Sequence, residues 1–211
     1  LYWHSAMVRL EVPVIHPEGG RMRHFTEHCS ATVITPGPNT LLLSAWHCFE
    51  DYAATQGPIQ FFAQHSPDTP LPARLVVSGG SMSADWAVLT PLTDTAIGAW
   101  IPLSPDPAQR GTRVIAAGFA PTTDSSRSEE PGETPPSRGL MYDPDCVVIV
   151  ATSQPARSDC VAKKGASGGA ILRRTASGSV RVVGVISAGD GTSVSYFHPT
   201  DGLINRVRSL R

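Results

Sequence analysis

Short apolar runs broken by turn formers constrain this chain more than any other feature. "SATVITPG", "TLLLSAWHCF", "ARLVVSGG", "WAVLTPL", "RVIAAGF", "CVVIVATS", "AILRR" and "VRVVGVISAG" are rich in Val, Ile and Leu, and each is punctuated before it reaches helical length. The 19 glycines and 19 prolines among 211 residues leave little room for long helices, because proline lacks the amide donor and glycine costs backbone entropy. An all-β barrel or sandwich is predicted. The exception is the C-terminus, where Leu203, Ile204, Val207 and Leu210 recur at helical spacing and Thr200 or Asp201 is placed to cap the start.

Organisation follows from what each stretch has to bury. Residues 120 to 139 are polar and proline-rich, so a surface loop is expected there. A softer break over residues 96 to 111 predicts two lobes, 1–100 and 101–211, and 41% apolar content is enough to pack both. With 17 basic against 18 acidic residues there is no broad field to attract nucleic acid or an anionic membrane, and neither is expected as a partner. No run approaches the roughly 18 apolar residues of a membrane span, and Leu1 follows no basic leader. The chain therefore reads as a processed, secreted or periplasmic monomer.

Four cysteines form two sequence-local pairs, Cys29 with Cys48 and Cys146 with Cys160, although three pairings are formally open. Disulfides would place the chain in an oxidising compartment. A zinc site is the competing reading, since His28-Cys29 and His47-Cys48 together offer two nitrogens and two sulfurs. On strands, however, adjacent side chains point to opposite faces, which disfavours chelation by either dipeptide. No metal or cofactor is expected.

Chemistry concentrates in "VAKKGASGGAIL", residues 161 to 172, where Ser167 sits among glycines. A serine becomes a nucleophile only with a base to take its proton and a third group to orient that base. His47 stands beside Cys48 after the run "LLLSAW", and Asp85 opens the run "DWAVL", where a carboxylate can be partly buried. Together "LLLSAWHC", "DWAVL", "GASGGAIL" and "GVISAG" resemble, in order, the four landmarks of the chymotrypsin-like (trypsin-like) serine proteases. "RVIAAGFA" resembles the strand that opens that family's second barrel. The resemblance runs from about residue 29 to the end of the chain.

The resemblance implies two six-stranded antiparallel β-barrels with a C-terminal helix, and a serine endopeptidase acting on polypeptides through an acyl-enzyme. It makes Ser167 the nucleophile, His47 the general base and Asp85 its orienting partner, with the amides of Gly165 and Ser167 as the oxyanion hole. Ser187, Ala188 and Gly189 become the segment that pairs with substrate. The only two lysines, Lys163 and Lys164, directly precede the serine loop, which reads either as a solvated loop pair or as a positive rim beside the serine. Val161, six residues before the nucleophile, becomes the floor of the primary specificity pocket. An aliphatic floor there argues against Arg or Lys before the scissile bond, and Ile186 weakens the case for an acidic preference.

Ala166 departs from the zymogen-activated branch, where an Asp at this place pairs with the newly cut N-terminus. That departure favours the bacterial secreted branch and an activity independent of the amine at Leu1. Two rivals stay open. A retired protease fold could serve as a binding module. Alternatively, Gly165-Ala166-Ser167-Gly168-Gly169 with Asp190 and His198 matches the nucleophile elbow and residue order of an α/β-hydrolase esterase.

Overall fold

The computed structural model describes residues 2–94, 97–122 and 137–210. Its strands are β1 (Met7–Glu18), β2 (Arg21–Thr35), β3 (Leu41–Ser44), β4 (Ile59–Ala63), β5 (Leu71–Ser78) and β6 (Ala87–Pro91), then β7 (Arg113–Pro121), β8 (Arg138–Val150), β9 (Ala156–Ser158), β10 (Ala170–Arg174), β11 (Val180–Gly189) and β12 (Ser195–Pro199). The first six close into a barrel in the order β1-β2-β3-β6-β5-β4, and the last six in the order β10-β11-β12-β9-β8-β7. All pairings between these strands are antiparallel. The protein is therefore all-β, and closure leaves neither sheet an open edge.

Side-chain alternation explains how each barrel fills. On β1, Val8, Leu10, Val12 and Val14 are buried while Arg9, Glu11 and Pro13 between them are half-exposed, the period of two that a one-sided strand requires. β3 is buried at all four positions and delivers the chain directly to His47. The β1–β2 hairpin runs on past the barrel to a turn at Gly19-Gly20, and its tip from Pro17 to His24 is exposed.

The connection between the barrels is packed rather than loose. Ile97, Ala99, Ile101 and Ala108 are buried along it. The Ile101 amide donates to the Val33 carbonyl of the first barrel at 2.8 Å, and the Ser104 amide to the Val182 carbonyl of the second at 2.8 Å. The expected surface loop at 120 to 139 lies outside the described residues for positions 123 to 136. Its flanks form the end of β7 and the start of β8, joined by a bond from the Thr122 amide to the Ser137 carbonyl.

The C-terminal helix α1 (Ile204–Arg208) follows a single 3-10 turn, Asp201–Leu203. Leu203 and Val207 bury the shared apolar face as the spacing predicts. The cap differs. Leu203 occupies the N-cap position and no side chain caps it, while the Thr200 hydroxyl donates instead to the Val182 carbonyl at 3.1 Å. The buried threonine thus spends its hydroxyl on a strand carbonyl that also accepts the Ser104 amide, because a buried hydroxyl needs an acceptor more than a surface helix end needs a cap.

Both sequence-local disulfides form: Cys29–Cys48, with 6.4 Å between Cα atoms, and Cys146–Cys160, with 5.0 Å. The sulfurs of the two His-Cys dipeptides are thus bonded to each other and present no thiolate pair to zinc. The fold also removes the α/β-hydrolase reading. Ser167 is followed by strand β10 and not by a helix, Asp190 is bonded within its own turn, and His198 lies on β12.

Candidate active site

His47 lies in a 3-10 turn, Trp46–Phe49, immediately after β3. The Cys29–Cys48 bridge ties this turn to β2, so the histidine backbone is held from both sides. Asp85 lies two residues before the start of β6 and is 1% exposed. Its Oδ1 accepts the His47 backbone amide at 2.9 Å, and its Oδ2 lies 2.8 Å from His47 Nδ1 and also accepts the Ser187 hydroxyl. A carboxylate accepts only, so the imidazole proton sits on Nδ1 and Nε2 keeps its lone pair. The ring is thereby set up as a base.

Electrostatics agrees with that assignment. Burial pushes the Asp85 carboxyl upward, but the hydrogen bonds from His47 and Ser187, with the attraction of His47, outweigh it and hold the group below its ordinary value. Asp85 therefore stays charged at neutral pH. An ionised partner stabilises the imidazolium that forms when His47 takes a proton.

Ser167 lies in the tight loop before β10, half-buried at a cleft of about 970 Å³. Two glycines shape this loop. Gly165 has φ +95 and Gly168 φ +79, a region that disfavours side chains. A Cβ on Gly168 would also lie inside van der Waals contact with Ser44 Oγ and the Ser30 carbonyl. That close approach brings the serine loop against the end of β3, which leads into the His47 turn. On its other side the loop pairs with β11: the Gly168 amide donates to the Ile186 carbonyl and the Ile186 amide to the Gly169 carbonyl, both at 2.8 Å. Ile186 precedes the Ser187 that holds Asp85. One loop is thus anchored next to both members of the His47–Asp85 pair.

Within Gly165–Gly169, the amides of Ala166, Gly168 and Gly169 each donate to a backbone carbonyl, at 2.9, 2.8 and 2.8 Å. Among the described residues, the amides of Gly165 and Ser167 have no acceptor. Both residues line the cleft, where donors left over by the protein are available to a bound oxygen.

The other expected residues divide. Lys163, Lys164, Ser187, Ala188 and Gly189 line the same cleft. Val161 does not. It lines an adjoining cavity of about 260 Å³, and its amide donates to the Asp143 carboxylate at 2.9 Å. Its neighbour Ala162 lines both the cleft and that cavity. Glu27, Met141 and Asp190 also line it and were not expected from the sequence. The Asp190 carboxylate accepts the amides of Thr192, Ser193 and Val194 and the Ser193 hydroxyl, which hold it well below the ordinary carboxylate range.

Comparison with curated protein sequences finds no match. Among solved structures, a thermostable serine protease from an extremophilic microorganism superposes with a TM-score of 0.65 over 98% of each chain, at 16% sequence identity, a likeness of fold. The model of the trypsin-like peptidase domain matches residues 29–185, a stretch that begins at the first disulfide cysteine and takes in His47, Asp85 and the Ser167 loop. The chain belongs to the trypsin-like peptidase family.

Proposed function

We propose that this protein is a serine endopeptidase that cleaves polypeptides through an acyl-enzyme. The observation that carries the reading is the His47–Asp85 pair, with Nδ1 committed to the carboxylate and Nε2 left free, next to the Ser167 loop. The Ser167 hydroxyl attacks the scissile carbonyl carbon as its proton passes to His47 Nε2. The Gly165 and Ser167 amides receive the charge that develops on the carbonyl oxygen, each such donor being worth roughly 3 to 4 kcal/mol in the transition state. His47 then returns the proton to the leaving amine, and water repeats the sequence on the ester.

The residue before the scissile bond is uncharged and of modest size in this reading. Ala162, Ile186 and Ala188 present apolar surface to the cleft, and Asp190 spends its carboxylate oxygens on its own turn. None of these apolar side chains could neutralise a buried cation, and the two carboxylates at the cleft, Glu27 and Asp190, are both exposed. Two disulfides suit an oxidising compartment, and we place the monomeric enzyme outside the cytoplasm. Digestion of an unbiased peptide library tests both levels. Cleavage after small apolar residues, abolished in Ser167→Ala, is expected. Cleavage after Arg or Lys would overturn the specificity. No cleavage of the library, with substrate peptides still bound, would favour a binding module on this fold.

A further inference from the structure

The loop that carries the unbonded amides has an ordering problem. Ala166 offers no carboxylate, so no charge pair can hold the loop from beneath. Gly165, which contributes one of the two free amides, lacks the Cβ that would restrict its own rotation. The backbone of Gly165 and Ser167 must therefore be held by other groups.

Ser30, the second residue of the "CSATVIT" stretch of β2, is wholly buried at 0% exposure. Its hydroxyl donates to the Gly165 carbonyl at 3.0 Å, and its backbone amide donates to the Ser167 carbonyl at 2.8 Å. One residue therefore holds both carbonyls that flank Ala166. The hydroxyl oxygen also accepts the Phe119 amide at 2.7 Å, which occupies a lone pair and aims its single proton at Gly165. The carbonyl of Ser30 accepts the Ser44 hydroxyl at 2.8 Å, three residues before His47. Each polar atom of Ser30 is thus committed, and its partners come from β3, the Ser167 loop and β7.

We infer that Ser30 is a positioning residue for the oxyanion hole: its hydroxyl, bridging the Phe119 amide and the Gly165 carbonyl, holds the Gly165–Ser167 backbone in the donating conformation that a charge pair at position 166 would otherwise secure. This rests on the peptidase reading above. Ser30 touches no substrate and acts through the loop. Because Ser30 belongs to the first barrel and the loop to the second, docking of the two barrels contributes to ordering the oxyanion donors. Substrate binding outside the oxyanion hole does not depend on it.

The test replaces Ser30 with Ala and separately with Cys, which keeps the volume but donates only weakly, so that a usable folded variant remains if Ala destabilises the core. Turnover of a peptide amide, affinity for a peptide aldehyde that forms an oxyanion on Ser167, affinity for a cleaved product peptide, and amide hydrogen exchange across residues 163–169 are measured. A fall in kcat of about tenfold to a hundredfold is expected, because a donor displaced by a fraction of an ångström loses much of its effect. KM and product affinity should stay within about twofold, aldehyde affinity should fall in step with kcat/KM, and exchange across 163–169 should rise. Ser30→Thr, which retains a hydroxyl, should recover most of the turnover. Folded Ser30→Ala or Ser30→Cys with kcat, aldehyde affinity and loop exchange all as in the parent would overturn the inference. Equal losses in kcat and product affinity would also overturn it, by showing a general structural role. Failure of the peptidase reading looks different: the parent itself would neither turn over nor bind the aldehyde, and loop exchange in the variants then decides the clamp alone.

Discussion

Replacing Asp85 with Asn removes one charge and keeps the shape, and the hydrogen bonds around it dictate how the amide must sit. Oδ1 faces the His47 backbone amide, which only donates, so the new side-chain oxygen is forced to that position. The NH2 group then occupies the place of Oδ2, facing the Ser187 hydroxyl and His47 Nδ1. Ser187 can turn its hydroxyl and accept. His47 can respond only by giving up its Nδ1 proton, which places the proton on Nε2 and leaves no base facing Ser167. The opposite amide orientation would bury two donors against each other at about 2.9 Å. Loss of the tautomer and of the anion together should lower kcat by about 10⁴, or about 5 kcal/mol of transition-state stabilisation. Initial rates on an ester and an amide substrate at neutral pH, with folding checked by circular dichroism, measure it. Nitrogen-15 shifts of the His47 ring should show the proton moved from Nδ1 to Nε2. A folded Asp85→Asn protein within tenfold of the parent rate would refute this reasoning.

Two further outcomes concern stability. Reducing Cys29–Cys48 and Cys146–Cys160, which close loops spanning 19 and 14 residues, should remove roughly 3 kcal/mol each in the chain-entropy model and lower Tm, and a melting curve indifferent to reductant would contradict that. Acid should unfold the protein in two stages. Burial holds His198 below its ordinary value of 6.5 against the pull of Asp85 and Asp201, so the unfolded chain binds that proton first and stability declines once pH drops below about 6.5. Asp85 has a lowered folded value, so its contribution is present above the ordinary 3.8 and is lost as pH falls through the folded value. Thermal melts against pH should show both slopes, with the upper one reduced in His198→Gln, the remainder coming from His4, which burial also holds below its ordinary value; an unchanged upper slope would assign the proton uptake elsewhere.

The barrels were legible where a strand had one buried face and clear punctuation, as in "RVIAAGF" and "VRVVGVISAG". β1 is less legible despite the alternation of "VRLEVPV", because its outer half and the facing "RMRHFTEH" extend past the barrel and bury little beyond Val14 and Phe25. β9, with three residues, is too short to leave a period. Within the site, His47 and Asp85 were legible from their neighbours, and the hydrogen bond between them is what the structure adds. Ser187 was read as part of a substrate strand, yet its hydroxyl holds Asp85 across the barrel interface. Ser30 and Ser44 carried only a weak signal, polar residues at core positions of apolar strands, since their partners lie far away in the chain. Counting back from Ser167 reaches Val161, whose amide bonds the Asp143 carboxylate and which lines the cavity adjoining the cleft, a placement that depends on the turn between Lys163 and Ala166 and that residue spacing alone does not give.

Covalent labelling with a fluorophosphonate tests the triad most directly, because the reagent needs an activated serine and an oxyanion site but no particular peptide sequence. Intact-mass analysis followed by peptide mapping should find one adduct, on Ser167, formed rapidly in the parent, slowly in Asp85→Asn and never in Ser167→Ala. A folded parent protein that stays unlabelled, or an adduct on any other serine, would contradict the assignment of His47, Asp85 and Ser167 as the catalytic machinery.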